Sequence, residues 1–171
     1  LRGANLENPH LEGADLEGTH LGYSELFEAN LQESILAETQ LEGASVLQAR
    51  LYWTYIEEAN LKRAYLTGAS LMGASLNKVN LQEAVLRWTV FADAEISGAN
   101  MERADLLEAY LMNSDLKCSM MGAILKGANF EDANMSEVTG LTRQQMAEAI
   151  INDKTILPDY LQQEPIESKD S

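Results

Sequence analysis

An apolar residue stands at every fifth position from Leu1 to Leu116, twenty-four times without a gap. These centres are leucine except at Val46, Ile56, Phe91, Ile96 and Met101. The stretch A-N-L-K-R-A-Y-L-T-G-A-S-L-M-G-A-S-L, residues 59–76, shows the rule at its cleanest. A helix repeats every 3.6 residues and a strand every second residue, so neither accounts for a period of five. A repeated unit too short to bury its own apolar side chain must stack on copies of itself, which makes the chain a solenoid. Two residues before each centre the side chain is small, as in Ala14, Ser24, Ala29, Ser34, Thr39 and Ala44. Pro9 and Val79 are the main departures.

The register slips once. After Leu116 the later centres fall at Leu125, Phe130 and Met135, one residue out of phase. The phrase centre–x–G–A–x–centre locates the slip. It occurs as L-E-G-A-D-L from Leu11, L-T-G-A-S-L from Leu66 and L-K-G-A-N-F from Leu125. M-M-G-A-I-L obeys it only if Met120 is the centre, so the quintet after Leu116 is one residue short. Met120 is then expected inside and Met121 outside.

Ala4-Asn5-Leu6, Ala14-Asp15-Leu16, Ala29-Asn30-Leu31, Ala59-Asn60-Leu61 and Ala104-Asp105-Leu106 match the pattern A-(D/N)-L-x-x literally. Over roughly residues 1–139 the chain resembles the pentapeptide-repeat family. The resemblance implies an all-β solenoid, a right-handed quadrilateral β-helix with four quintets per coil. Twenty-eight quintets would then make seven coils, about 34 Å long at a spacing of about 4.8 Å. The period alone implies a solenoid without fixing its hand or section. Burying one centre leucine contributes about 1.5–3 kcal/mol, and enlarging an inward alanine overpacks the interior at about 1–3 kcal/mol.

The expected organisation is a repeat domain over 1–139, a helical C-terminal cap over 140–161 and a disordered tail over 162–171. Thr142-Arg143-Gln144-Gln145 reads as a capping box, with Leu141 and Met146 as a hydrophobic staple. A helix is predicted from about Arg143 to Asn152, with Met146, Ala149 and Ile150 on its apolar face. Pro158 forbids its continuation, which leaves Ile156, Leu157, Tyr160 and Leu161 to pack as a second capping element. Similar GLT…LPDYL tails follow the repeats of cyanobacterial members of the family. At the other end Leu1 is already in register, so the first coil is expected to be open. Either a preceding segment covers it or that end meets another molecule.

The residues offer little chemistry. His10 and His20 fall on opposite sides of a four-sided coil and cannot converge. Cys118 lies in the short quintet, expected to face inward, and a lone cysteine builds no internal disulfide framework. No glycine-rich phosphate loop is present, and carboxylates on a leucine-filled convex rod have no cleft to work in. The expectation is a non-enzymatic protein with no catalytic residue, no metal and no cofactor. A net charge of −15 disfavours direct binding to nucleic acid or an anionic membrane. No secretory leader is visible. The cytoplasm is therefore the favoured compartment, with a lumen or periplasm open if a leader preceded Leu1.

Two partner readings follow. The first is an interaction module for another protein. A column of Asn60, Asn80 and Asn100, twenty apart, is expected to stack as an amide ladder. The third side carries Tyr52, Met72, Ala92 and Met112 just after its centres, with Val90 and Tyr110 before them and Trp53 at the corner. Tyr52, Trp53, Met72, Val90, Tyr110 and Met112 are the candidate partner-binding residues, for another protein or for a homodimer. The open end coil is a second place for a homodimer. The corresponding first-side column reads Glu42, Lys62, Gln82 and Glu102, an ordinary solvated surface. The alternative is DNA mimicry, as the resemblance to quinolone-resistance members that occupy the DNA site of gyrase implies. Duplex DNA carries roughly twenty charges over a rod of about 34 Å, and −15 is comparable. Against it, the acids are interspersed with Lys62, Arg63, Lys78, Arg87, Arg103, Lys117 and Lys126.

Overall fold

Parallel bridges join residues twenty apart along the repeat, from Asn5 with Glu25 to Val90 with Tyr110. This pairing is seen in a computed structural model that describes residues 1–162. Twenty residues are four quintets, so each turn of the solenoid has four sides. The bridging residue is the one before each centre, and both its backbone groups are used. Glu25 donates to Ala4 O at 2.9 Å and accepts from Leu6 N at 2.7 Å. Backbone polar groups that would otherwise be orphaned are thereby spent coil to coil.

The five-residue period follows from what lies between bridges. After each centre the chain turns, and the amide three residues on returns to the centre carbonyl, as Ala29 N does to Leu26 O at 3.1 Å. The turn's third residue has positive φ, which glycine adopts freely. Gly68 sits there at +70°, but so do Trp53 at +52° and Glu28 at +54°. The following small residue then points inward. Ala29, Ala64, Ala84 and Ala104 are fully buried, and so are the centres Leu26, Leu66, Leu86 and Leu106. Several inward residues carry a hydroxyl that finds a carbonyl, although those of Thr19 and Ser34 have no partner among the described residues. Ser24 donates to Leu21 O at 2.7 Å, while Thr89 reaches Leu66 O in the neighbouring coil at 2.9 Å. At one end Leu6, Leu11 and Leu16 are partly buried against this core.

The slip is absorbed by a bulge. The chain forms two longer strands here, β1 (Glu95–Asn100) and β2 (Asp115–Ser119), paired in parallel. Ser97 faces Lys117 and Asn100 faces Ser119, so Gly98 and Ala99 together stand opposite Cys118. Gly98, at φ +69°, supplies the conformation that such a bulge needs. The bridges that cross the slip span nineteen residues, Asp105 with Ile124, Tyr110 with Asn129 and Asp115 with Asn134, and Ser119 returns to twenty with Thr139. Met120 is fully buried and Met121 is 52% exposed, as the shortened quintet requires.

The C-terminal segment departs from the sequence expectation. The helix α1 covers only Arg143–Ala147, although its Thr142 capping box is complete and Leu141 and Met146 are buried. It ends early because the last coil still presents unpaired backbone. Gly127 N donates to Glu148 O at 2.8 Å, and Phe130 N to Ile150 O at 2.8 Å. A helix that kept its own bonds could not accept these. Ile150 therefore bridges Asn129 instead of lying on a helical face, and Ile156 bridges Asn134. Ile156 is exposed, while Leu157 and Leu161 pack against the core. Pro158 does not exclude helix beyond itself. A short helix α2 (Asp159–Gln162) begins directly after it, so Gln162 belongs to α2 rather than to the expected tail. The remainder of that tail, 163–171, lies outside the described residues.

Candidate functional site

On the third side the centres Leu51, Leu71, Phe91 and Leu111 are buried, which turns their successors outward. Tyr52, Met72, Ala92 and Met112 are each partly exposed, in four coils one above the next. Their stacking is fixed by the backbone: Trp53 N donates to Met72 O at 3.1 Å, Gly73 N to Ala92 O at 3.0 Å, and Asp93 N to Met112 O at 3.1 Å. Val90 bridges Tyr110, so these two also stand side by side, Val90 partly buried and Tyr110 43% exposed. The rings of Tyr52 and Trp53 lie 6.3 Å apart at 50°. Trp53 is 51% exposed, and its other half covers Gly73 in the next coil. The six candidate residues thus share one side and its corner.

The side before it carries apolar surface that the sequence reading passed over. Phe27, Leu47 and Leu107 occupy its outward column, with Tyr65 and Val85 before its centres. Trp88, at the corner between the two sides, donates from Nε1 to Glu108 at 2.8 Å. Sorting every quintet by twenty, and not one column, would have found them. This column is interrupted by Arg87, whose Nε meets Asp105 Oδ2 at 2.6 Å. The third-side column has no such break.

The polar first side behaves as a ladder only in part. Asn80 donates to Asn60 at 3.3 Å and Asn60 to Gln40 at 3.5 Å. Asn100 makes no side-chain bond to Asn80 among the described residues; its Oδ1 accepts from Glu102 N at 3.0 Å. Ion pairs span coils at two other corners, Arg63 with Glu83 at 2.8 Å and Lys78 with Glu58 at 2.7 Å. The hydrogen bond that Arg63 donates holds the Glu83 carboxyl below its ordinary pKa, and the one that Lys78 donates to Glu58 raises the Lys78 ammonium above its own.

The His10 ring lies 3.2 Å from Glu12 while its backbone bridges Asn30, and His20 stands in a different column, bridged to Gln40. Cys118 is buried, which pushes its thiol up to about 12. Among the described residues no group of His, Cys, Asp and Glu is arranged to hold a metal ion. No described helix is long and apolar enough to cross a membrane.

The profile described as "Pentapeptide repeats" matches this chain in eight copies, over residues 1–23, 49–87, 69–106 and 80–117. The chain belongs to the pentapeptide-repeat family. Among solved structures it is similar to HetL, a pentapeptide repeat protein involved in heterocyst differentiation regulation in the cyanobacterium Nostoc sp. strain PCC 7120. That likeness has 29% identity and a TM-score of 0.53, covering 87% of this chain and 70% of HetL. QnrB1, a plasmid-mediated fluoroquinolone resistance protein, is similar at 15% identity and a TM-score of 0.61, covering 92% and 91%. At that identity the likeness is one of fold. No curated protein matches the chain.

Proposed function

We propose that this pentapeptide-repeat protein is a non-enzymatic interaction module. Its solenoid, read as a right-handed quadrilateral helix of about seven coils at the strand spacing, serves as a rigid support. Its third side is the surface offered to a protein partner. The observation that carries this reading is the unbroken apolar column Tyr52, Met72, Ala92 and Met112, widened by Trp53 and Tyr110. Tyr, Trp and Met are enriched where proteins meet, and a strip of this extent is in the range at which an apolar patch signals binding. The regulatory role of HetL is in keeping with a chain that acts by contact.

The test is a triple variant, Tyr52→Ser, Met72→Ser and Met112→Ser, compared with wild type in a pull-down from the native host and in sedimentation. None of the three belongs to the inner ladder, so the fold is expected to persist. Loss of a bound species, or of a dimer, supports the face; unchanged binding and unchanged oligomeric state would remove it.

A second reading, DNA mimicry, draws on one observation: a charge of −15 on a rod is close to that of duplex DNA of the same length. The corner pairs of Arg63 with Glu83 and Lys78 with Glu58 dilute that charge. A gyrase supercoiling assay at saturating protein separates the two, since a contact module for another partner leaves supercoiling untouched.

A further inference from the structure

Acids stand on both edges of the third side toward the two ends of the apolar strip, one coil before Tyr52 and again beside Ala92 and Met112. The corner before it carries Glu28 and Glu108, and the corner after it carries Glu33 and Asp93, all at positive φ. Neither corner column contains a lysine or arginine, and these four carboxylates make no ion pair among the described residues. The two other corners carry Arg63, Arg103 and Lys78. Within the repeats Arg50, in the coil of Tyr52, is the one Lys or Arg on the third side; beyond them Lys154 pairs with Asp132 at the corner after it, 3.3 Å away. An apolar strip with a carboxylate on each edge near both of its ends calls for a partner that is apolar along its middle and basic on both flanks toward its ends. A second copy of this chain, itself at −15, is the opposite.

The backbone of this side has nothing left to offer. Val90 N donates to Ala69 O at 3.0 Å and Phe91 N to Tyr110 O at 2.7 Å, so an added strand would find no free groups. The partner must bring a backbone already satisfied, which a helix does. A helix is about 10 Å across with a pitch of about 5.4 Å, close to the coil spacing of about 4.8 Å. Laid along the axis, about thirteen residues would reach from the coil of Glu28 and Glu33 to that of Met112.

We propose, building on the reading of the third side as a docking face, that it binds a basic amphipathic α-helix. The apolar stripe rests on Tyr52, Met72 and Met112, and Lys or Arg flanks reach the acidic corners on either edge.

The test uses synthetic peptides of about fifteen residues, long enough to hold a helix on binding, titrated into the full chain by calorimetry. One has a leucine stripe flanked by lysines on both sides, one has the same stripe flanked by glutamates, and one scrambles the lysine peptide. The expected result is binding of the amphipathic lysine peptide alone. It should weaken about tenfold or more with Tyr52→Ser/Met72→Ser/Met112→Ser, and similarly with Glu28→Gln/Glu33→Gln/Asp93→Asn. The proposal is overturned if the lysine peptide does not bind, if the scrambled peptide binds as well, or if neutralising the corners changes nothing. If both flanked peptides bind alike and only the serine variant weakens them, the docking face stands and the basic partner falls. If the serine variant affects neither the peptides nor the host partner, the face itself falls.

Discussion

Trp53 lies over Gly73, one coil along the same corner. A Cβ on Gly73 would stand 2.5 Å from the indole Nε1, closer than any real contact. Gly13 occupies the same corner three coils away, and a Cβ there would meet nothing within 4 Å. Both glycines have positive φ, +67° and +63°, so alanine costs each about 1–2 kcal/mol in backbone strain. The difference between Gly73→Ala and Gly13→Ala therefore isolates the packing of Trp53. Gly73→Ala is expected to lower the melting temperature further and to shift Trp53 emission to the red in a Trp88→Phe background. Equal melting temperatures and unchanged emission would show that the indole is not held on that corner.

The buried Met120 and exposed Met121 offer a sharp pair. Met120→Ala should cost about 2–5 kcal/mol in denaturant unfolding, as an emptied core position does. Met121→Ala should stay within about 0.5 kcal/mol. Its Cβ, which alanine keeps, is the part that packs near Gly140. A reversed order would move the shortened quintet elsewhere.

The inner ladder was legible in the sequence because each coil repeats one demand, a large apolar side chain and a small one at fixed spacing. The slip was legible too, because M-M-G-A-I-L fits the glycine–alanine phrase in one phase only. The corners were not. Glu28 and Trp53 take a backbone conformation that composition assigns to glycine, since coil-to-coil bonds on either side hold the turn regardless of residue. Ile150 misled for a related reason. A sound local helix signal lost to the open hydrogen-bonding groups of Gly127, Ala128 and Phe130. Of the surface, the third-side strip could be found by counting in twenties. The carboxylates at its edges, Glu28, Glu108, Glu33 and Asp93, emerged only once the corner residues were seen to face the same side.

One hydroxyl ties the end of the C-terminal segment to its start. Tyr160 donates to Val138 O at 3.1 Å and accepts from Leu141 N at 3.2 Å, tying α2 to the start of the cap. Tyr160→Phe leaves both backbone groups without that partner and should cost about 1–3 kcal/mol. Hydrogen exchange should quicken at Leu141 while Leu66 and Leu86 stay protected. Deleting the chain from Leu141 onward goes further, exposing the end of the ladder near Phe130 and Met135. The truncated protein is expected to associate through that end in sedimentation. A monodisperse product with the parent's heat stability would deny the segment any capping role.

Cys118 gives the stability an alkaline limit. Burial raises its thiol from the ordinary 9.0 to about 12, so the folded chain keeps a proton that the unfolded chain loses between those values. The unfolded state then binds fewer protons, and stability falls as pH rises. The contribution is intact below pH 9.0 and declines as pH rises above it toward about 12. Cys118→Ala, which places the usual small residue at this inward position, removes the effect. Unfolding free energies of the two proteins should run parallel below pH 9.0 and diverge above it, with wild type losing more. The native thiol should also resist disulfide reagents at pH 8 and react once the chain is unfolded, because the thiolate is the reactive form. Parallel curves throughout, together with rapid labelling of the native protein, would mean that Cys118 is not sealed in the interior.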